Sequence, residues 1–223
     1  MSILVVAAHP DDEVLGCGGT IAQAEDDVYI AILGEGITSR YANRNDADQA
    51  LIHTLHGHSQ TVADMLGAKD LYMMSLPDNR FDQVPLLDVV KLITPLVDDL
   101  KPHTIYTHHP GDLNIDHLIT HRAVLTATRP MVGCPVKDIY TFEVPSSTEW
   151  AFQRLERPFT PNVFVDIQNT IETKVAGMGV YEIEARPFPH PRSPEALRTI
   201  AKRWGTVVGL DYVEAFELIR SIR

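Results

Sequence analysis

Six consecutive residues near the start of the chain, Ala8-His9-Pro10-Asp11-Asp12-Glu13, place one imidazole beside three carboxylates. Carboxylates crowded in this way repel one another unless a cation offsets them or one stays protonated. Imidazole with carboxylate suits Zn2+ and similar divalent ions, so the segment reads as half of a metal centre. A solvated acidic turn, with an Asp capping a helix start, is the plainer alternative. A second group follows about a hundred residues later: His108-His109-Pro110-Gly111-Asp112-Leu113-Asn114-Ile115-Asp116-His117. Five of the ten histidines (His103, His108, His109, His117, His121) fall within nineteen positions. His117 and His121 stand four apart on a predicted helix and share a face. A zinc-protease helix needs Glu directly after its first histidine, and Leu118 stands there instead. His121 reads equally well as a packed or surface residue.

These segments need a scaffold that brings them together. Short β-branched apolar runs alternate with longer stretches of helical periodicity, the pattern of βαβ units around a mostly parallel sheet. Strands are expected over residues 3–8, 28–33, 71–74, 104–107, 136–142 and 163–165. Helices are expected over 18–25, 44–67, 86–100, 116–128, 170–183 and 194–207, the last completing the chain. Both chemical segments then follow strands, and open α/β sheets bind ligands outside the carboxyl ends of their strands. Gly16, Gly18 and Gly19 read as a turn after the first strand. They lack the GxGxxG spacing, and acidic residues stand where a pyrophosphate would lie, which argues against a dinucleotide loop. No repeat, low-complexity tract or linker interrupts the chain. Residues 1–223 are therefore expected to form a single-domain, Rossmann-like three-layer α/β sandwich with a mostly parallel sheet.

With AHPDDEVLGCGG at 8–19 and DLNIDH at 112–117, the chain resembles the LmbE/PIG-L family of zinc-dependent N-acetyl-sugar deacetylases. Order and spacing match along most of its length. The resemblance implies that His9, Asp12 and His117 ligate one Zn2+ or another divalent ion, with a position left for water, and that Asp11 is the general base. Many members carry His-x-x-His at the second site, the first histidine acting as acid or oxyanion stabiliser. This chain has Asn114 at that offset, which donates a hydrogen bond but delivers no proton. His190, His109 and His121 are candidates for a substitute acid, with His190 preferred because some members bring a C-terminal histidine into the site. The implied reaction is hydrolysis of an N-acetyl group on a small-molecule, GlcNAc-like sugar of a glycoconjugate or nucleotide sugar. A homo-oligomer is the implied assembly.

Weaker signals surround these. Arg40, in the segment 34–40, resembles a pocket-lining residue of the family, against the plainer reading of a solvent-facing loop arginine. Arg80, in 77–82, follows the third strand and is expected at the same rim, although turn chemistry alone explains its neighbours. Glu143 and the loop 145–150, with Trp150, are expected either to meet the sugar or to cover a sheet edge.

Composition narrows the partners. Lys and Arg total 19 against 30 Asp and Glu, a net charge of −11, which opposes binding to nucleic acid or to an anionic membrane. Hydrophobic content of 44% with 22% charged residues is that of a globular protein. Cys17 and Cys134 form no CxxC pair, no stretch approaches a membrane span, and the first apolar run lacks a basic lead. A cytoplasmic protein is the expectation. Two other functions compete: a non-catalytic nucleotide- or sugar-phosphate-binding module, and an amide hydrolase acting on another acylated small molecule.

Overall fold

In the computed structural model, which describes residues 2–155 and 157–223, β1 (Ser2–Ala7), α1 (Asp12–Ala22), β2 (Asp27–Gly34), α2 (Gln49–Met65) and β3 (Asp70–Leu76) form two successive βαβ units. α3 (Leu86–Leu100), β4 (Thr104–His108), α4 (Ile115–Ala127) and β5 (Asp138–Phe142) extend the pattern on the other side. β6 (Val163–Asp166), α5 (Ile171–Val180), α6 (Pro194–Val208) and β7 (Val213–Arg220) complete the described chain. The sheet order is β3-β2-β1-β4-β5-β7-β6, parallel throughout except that β7 runs antiparallel to both its neighbours. From β1 the chain winds outward first one way and then the other. The reversal falls between β1 and β4, so a crevice opens beyond their carboxyl ends.

Side chains of β1 alternate between two apolar layers. Val5 and Ala7 join the core beneath α1, α2, α5 and α6, while Leu4, Val6 and Ala8 join the core beneath α3 and α4. Burial on both faces is why the strand reads as one continuous apolar run.

Three expectations are corrected. The first helix starts at Asp12, not near 18, and is kinked at Cys17 (φ −144°, ψ 23°), so that its second part begins at the expected place, with Gly18 and Glu214-bound Gly19 in its first turn. A Cβ on Gly16 would sit 2.3 Å from Phe142 Cδ2, and one on Gly19 would sit 2.8 Å from Ile167 Cγ2. Glycine on either side of the kink leaves room for the Phe142 and Ile167 side chains. The second correction is β7, expected as no element at all. Its sequence VEAFELIR carries two buried glutamates that break the apolar pattern. Both are satisfied: Glu214 accepts from Gly19 and Thr20 N–H and pairs with Lys174 at 2.6 Å, and Glu217 accepts from Thr160 N–H at 2.6 Å. The long second helix begins at Gln49 instead of near 44, capped by Asp48 accepting from Ala50 N–H at 2.8 Å. Among the described residues no helix is long and apolar enough to cross a membrane.

Candidate active site

Where β1 ends, Asp11 takes φ 99°, a conformation that L-residues rarely adopt. Three local contacts support it. Asp11 N–H donates to Glu13 Oε2 at 3.1 Å, His9 N–H donates to Asp12 Oδ2 at 2.8 Å, and Glu13 accepts the buried Tyr181 hydroxyl at 2.5 Å. The bend turns His9, Asp11 and Asp12 into the crevice and starts α1 with two acids in its first turn, where the helix dipole favours them. On the other side of the crevice, Asn114 caps α4 by accepting Asp116 N–H at 2.9 Å, which brings Asp116 and His117 into the first turn.

Two imidazoles flank one carboxylate oxygen. His9 Nδ1 lies 3.2 Å and His117 Nε2 lies 3.4 Å from Asp12 Oδ2. The far nitrogen of each ring is held by another buried acid, His9 Nε2 by Asp116 at 2.9 Å and His117 Nδ1 by Asp112 at 2.7 Å. Those bonds leave the inner nitrogens as lone-pair donors facing Asp12. Carboxylates backing ligand histidines are the usual outer shell of a metal site. Their number also fits a dication, since Asp12, Asp112 and Asp116 are all buried within the same cluster. His108 is close, 3.5 Å from Asp12, but its Nε2 already accepts Ala8 N–H at 2.8 Å and so has no lone pair to give.

Charges follow this geometry. Burial alone would lower the pKa of His117, but the Asp12 charge and the Asp112 hydrogen bond outweigh it and push it up to about 9. His9 is likewise raised, its hydrogen bonds to Asp116 and Asp12 overcoming burial. For Asp12 the balance runs the other way: burial is overcome by the neighbouring His117 and His108, which hold the carboxyl well below its usual range.

Asp11 stands beside the set without ligating it. Its Oδ2 accepts from Arg192 Nη1 at 2.6 Å, and burial, only partly offset by that guanidinium, raises its pKa. A cavity of about 550 Å3 opens over these groups. Of the residues singled out from sequence, His9, Asp11, Asp12, Arg40, Asn114, His117 and His190 all line it. Arg80 and Glu143 are not among its lining. Arg80 precedes a short 3-10 turn (Phe81–Gln83) that packs on α4. Glu143 faces a separate small hollow beside α6, its carboxylate accepting Trp204 Nε1. His109 is buried against Glu217 and His121 Nδ1–H donates to His108 O, so His190 is the remaining candidate acid in the cavity wall.

Sequence reasoning gave no role to Arg192 or Glu184, which line the cavity together with Asp78 of the segment 77–82 and Ser146, Ser147 and Trp150 of the loop 145–150. Glu184 pairs with both Arg192 and Arg40. Asp78 accepts from Ser39 Oγ at 2.5 Å and lies 3.4 Å from His9 Nε2. For Arg192 the only local signal is its place two residues after His190 in PHPRS, 189–193.

The chain is similar to known proteins. A 1D-myo-inositol 2-acetamido-2-deoxy-alpha-D-glucopyranoside deacetylase of Mycobacterium sp. (strain JLS) is 27% identical over 243 residues, covering 89% of this chain and 79% of that one. The solved structure of N,N'-diacetylchitobiose deacetylase from Pyrococcus horikoshii superposes with a TM-score of 0.78 at 21% identity, covering 98% of this chain and 84% of that one. GalB, the 4-carboxy-2-hydroxymuconate hydratase of Pseudomonas putida KT2440, superposes with a TM-score of 0.76 at 20% identity over 100% of this chain and 97% of its own. Likeness at this identity speaks for the fold, and the fold hosts more than one reaction. The family model described as GlcNAc-PI de-N-acetylase matches residues 4–128. That span is more than half of the 223 residues, and the chain belongs to the PIG-L family.

Proposed function

We propose that this protein is a zinc-dependent hydrolase that removes the acetyl group from an N-acetyl, GlcNAc-like sugar of a glycoconjugate or nucleotide sugar. The observation that carries the reading is the placement of Asp11, a buried carboxylate outside the ligand set, beside His9, Asp12 and His117 on the wall of one cavity. Its volume of about 550 Å3 is in the range of small-molecule sites. Relatives named for acetamido-sugar substrates support the same class.

His9 Nδ1, Asp12 and His117 Nε2 would hold the ion. When bound there, zinc supplies Lewis acidity and brings the pKa of water to about 7. Asp11 takes the proton as a water oxygen bonds to the acetyl carbon and the carbonyl π pair moves onto oxygen. The carbon–nitrogen bond then breaks, its electron pair stays on nitrogen, and His190 delivers the proton that the departing amine needs. In the neutral ring His190 Nδ1 accepts Arg192 N–H at 3.2 Å, and the imidazolium is the form that gives the proton. Asn114, with Oδ1 tied to the α4 cap, offers only its amide N–H as a donor. Arg40, on the cavity wall, binds a substrate hydroxyl or phosphate.

A homo-oligomer and a cytoplasmic setting belong to the same proposal. Exposed Phe152, Leu155 and Phe188 are consistent with an assembly, which sedimentation velocity would read.

The test is acetate release from a panel of N-acetyl sugars by zinc-loaded protein, with His9→Ala as the blank. Turnover by the wild type and none by the blank is expected. If no N-acetyl substrate is turned over, the deacetylase class is abandoned.

A further inference from the structure

Asn114 leaves the second half of the site without a charged or protonated donor for the acetyl oxygen. Another cation stands in the same cavity. The Arg192 guanidinium is only 23% exposed and is held on several sides. Its Nη1 donates to Asp11 Oδ2 at 2.6 Å and to Glu184 Oε2 at 3.3 Å, and its Nε donates to Ser146 Oγ at 2.9 Å. Its Nη2 makes no hydrogen bond to the described residues. The backbone beneath is fixed as well: Arg192 N–H donates to His190 Nδ1, and the next residue, Ser193, caps α6 by accepting Ala196 N–H at 3.1 Å.

A merely structural ion pair would not need this address. Arg192 comes from the C-terminal part of the chain, about 180 positions from Asp11, and reaches across the cavity to the one acid proposed to take the proton from water.

We infer that Arg192 orients the Asp11 carboxylate and supplies the cationic N–H donor that meets the negative charge developing on the acetyl oxygen. The inference rests on the deacetylase reading above. A guanidinium stays charged throughout, so it gives up no proton and its contribution is electrostatic. Timing makes it selective for the transition state. While Asp11 is ionised, the guanidinium is spent on that carboxylate. As the water proton passes to Asp11 and the carbonyl π pair moves onto oxygen, the negative charge leaves Asp11 and appears on the acetyl oxygen. The attraction follows the charge. An interaction that strengthens only as the barrier is climbed raises kcat more than it lowers KM.

The experiment compares zinc-loaded wild type with Arg192→Ala on an N-acetyl sugar that the wild type deacetylates, recording kcat, KM, zinc content and melting temperature. Expected is a loss in kcat of about 10²–10³-fold with KM moved less than about threefold, zinc content unchanged, and partial recovery of kcat on adding millimolar guanidinium. Should the alanine variant not fold, Arg192→Gln, which is neutral yet can still bond Ser146, carries the same comparison of kcat with KM. A kcat within about threefold of wild type overturns the inference, as does a loss in Arg192→Ala that guanidinium leaves untouched. Absence of acetate release by the wild type instead overturns the deacetylase reading and takes the role of Arg192 with it.

Discussion

His117 Nδ1 stands 2.7 Å from Asp112 Oδ2, and the other oxygen of that carboxylate accepts the Thr148 hydroxyl at 2.6 Å. Across the crevice His9 is braced the same way, by Asp116, whose other oxygen accepts Phe81 N–H at 2.9 Å. Each imidazole is thus oriented from behind by a buried acid that is itself anchored. The two rings converge on Asp12 because their outer nitrogens are already committed.

Asp112→Ala removes one brace without touching a proposed ligand. The His117 ring loses its fixed tautomer and orientation, and zinc affinity should fall by about 10–100-fold. Competition against a chelator of known affinity reads this directly. Unchanged affinity would show that Asp112 is a structural acid and not part of the metal site.

Asp11→Asn should separate chemistry from metal binding. Asparagine keeps the shape and can still accept from Arg192, but it takes no proton from water. Acetate release should drop by about 10²–10⁴-fold while zinc content stays at the wild-type level, since Asp11 lies outside the His9, Asp12 and His117 group. Full activity in this variant would remove Asp11 from the role of base.

Much of this arrangement was legible in the sequence, for a physical reason. Residues that follow strands in a parallel sheet share one edge, so AHPDDE after β1 and the 108–117 segment after β4 had to meet if the βαβ reading held. Asp112 and Asp116 were visible as acids, but which histidine nitrogen each would hold depends on the α4 cap at Asn114 and could not be read from spacing. Arg192 was out of reach altogether: its partner is Asp11, and nothing local in PHPRS says that the segment folds back over β1. β7 was missed because Glu214 and Glu217 look like surface residues until Lys174, Thr160 and the backbone of Gly19 and Thr20 in α1 are known to satisfy them. Glu143 was placed wrongly for the opposite reason. It follows a strand at the right edge, yet its side chain turns to Trp204 under α6.

The proposed acid carries its own pH signature. Burial, then the positive charges of Arg192 and Arg186, lower the pKa of His190 below its ordinary 6.5. An acid must be protonated to act, so its contribution is present at low pH and is lost as pH rises through that lowered value. His190→Gln should cost about 10²-fold in kcat and abolish the alkaline fall of the kcat profile. Arg186→Ala, which removes one of the two cations, should move that fall to higher pH. An alkaline limb identical in all three proteins would assign the leaving-group proton to another residue.

Glu143 supplies a prediction about stability. Burial, opposed in part by the Trp204 hydrogen bond, raises its pKa from 4.5 to about 7. The folded protein therefore holds a proton that the unfolded chain has already released, and the stability linked to that proton is present below 4.5 and lost as pH rises through about 7. Glu143→Gln keeps an acceptor for Trp204 and has no charge to bury. Its advantage over wild type should be negligible near pH 4.5 and grow to about 1–2 kcal/mol above pH 7, a range reduced for the residual solvent contact of the half-buried side chain. Thermal melts of both proteins across that pH range give the answer. KM for the N-acetyl sugar should not change, because Glu143 lies outside the cavity. Parallel melting curves would refute the buried-proton account, and a raised KM would return Glu143 to the substrate.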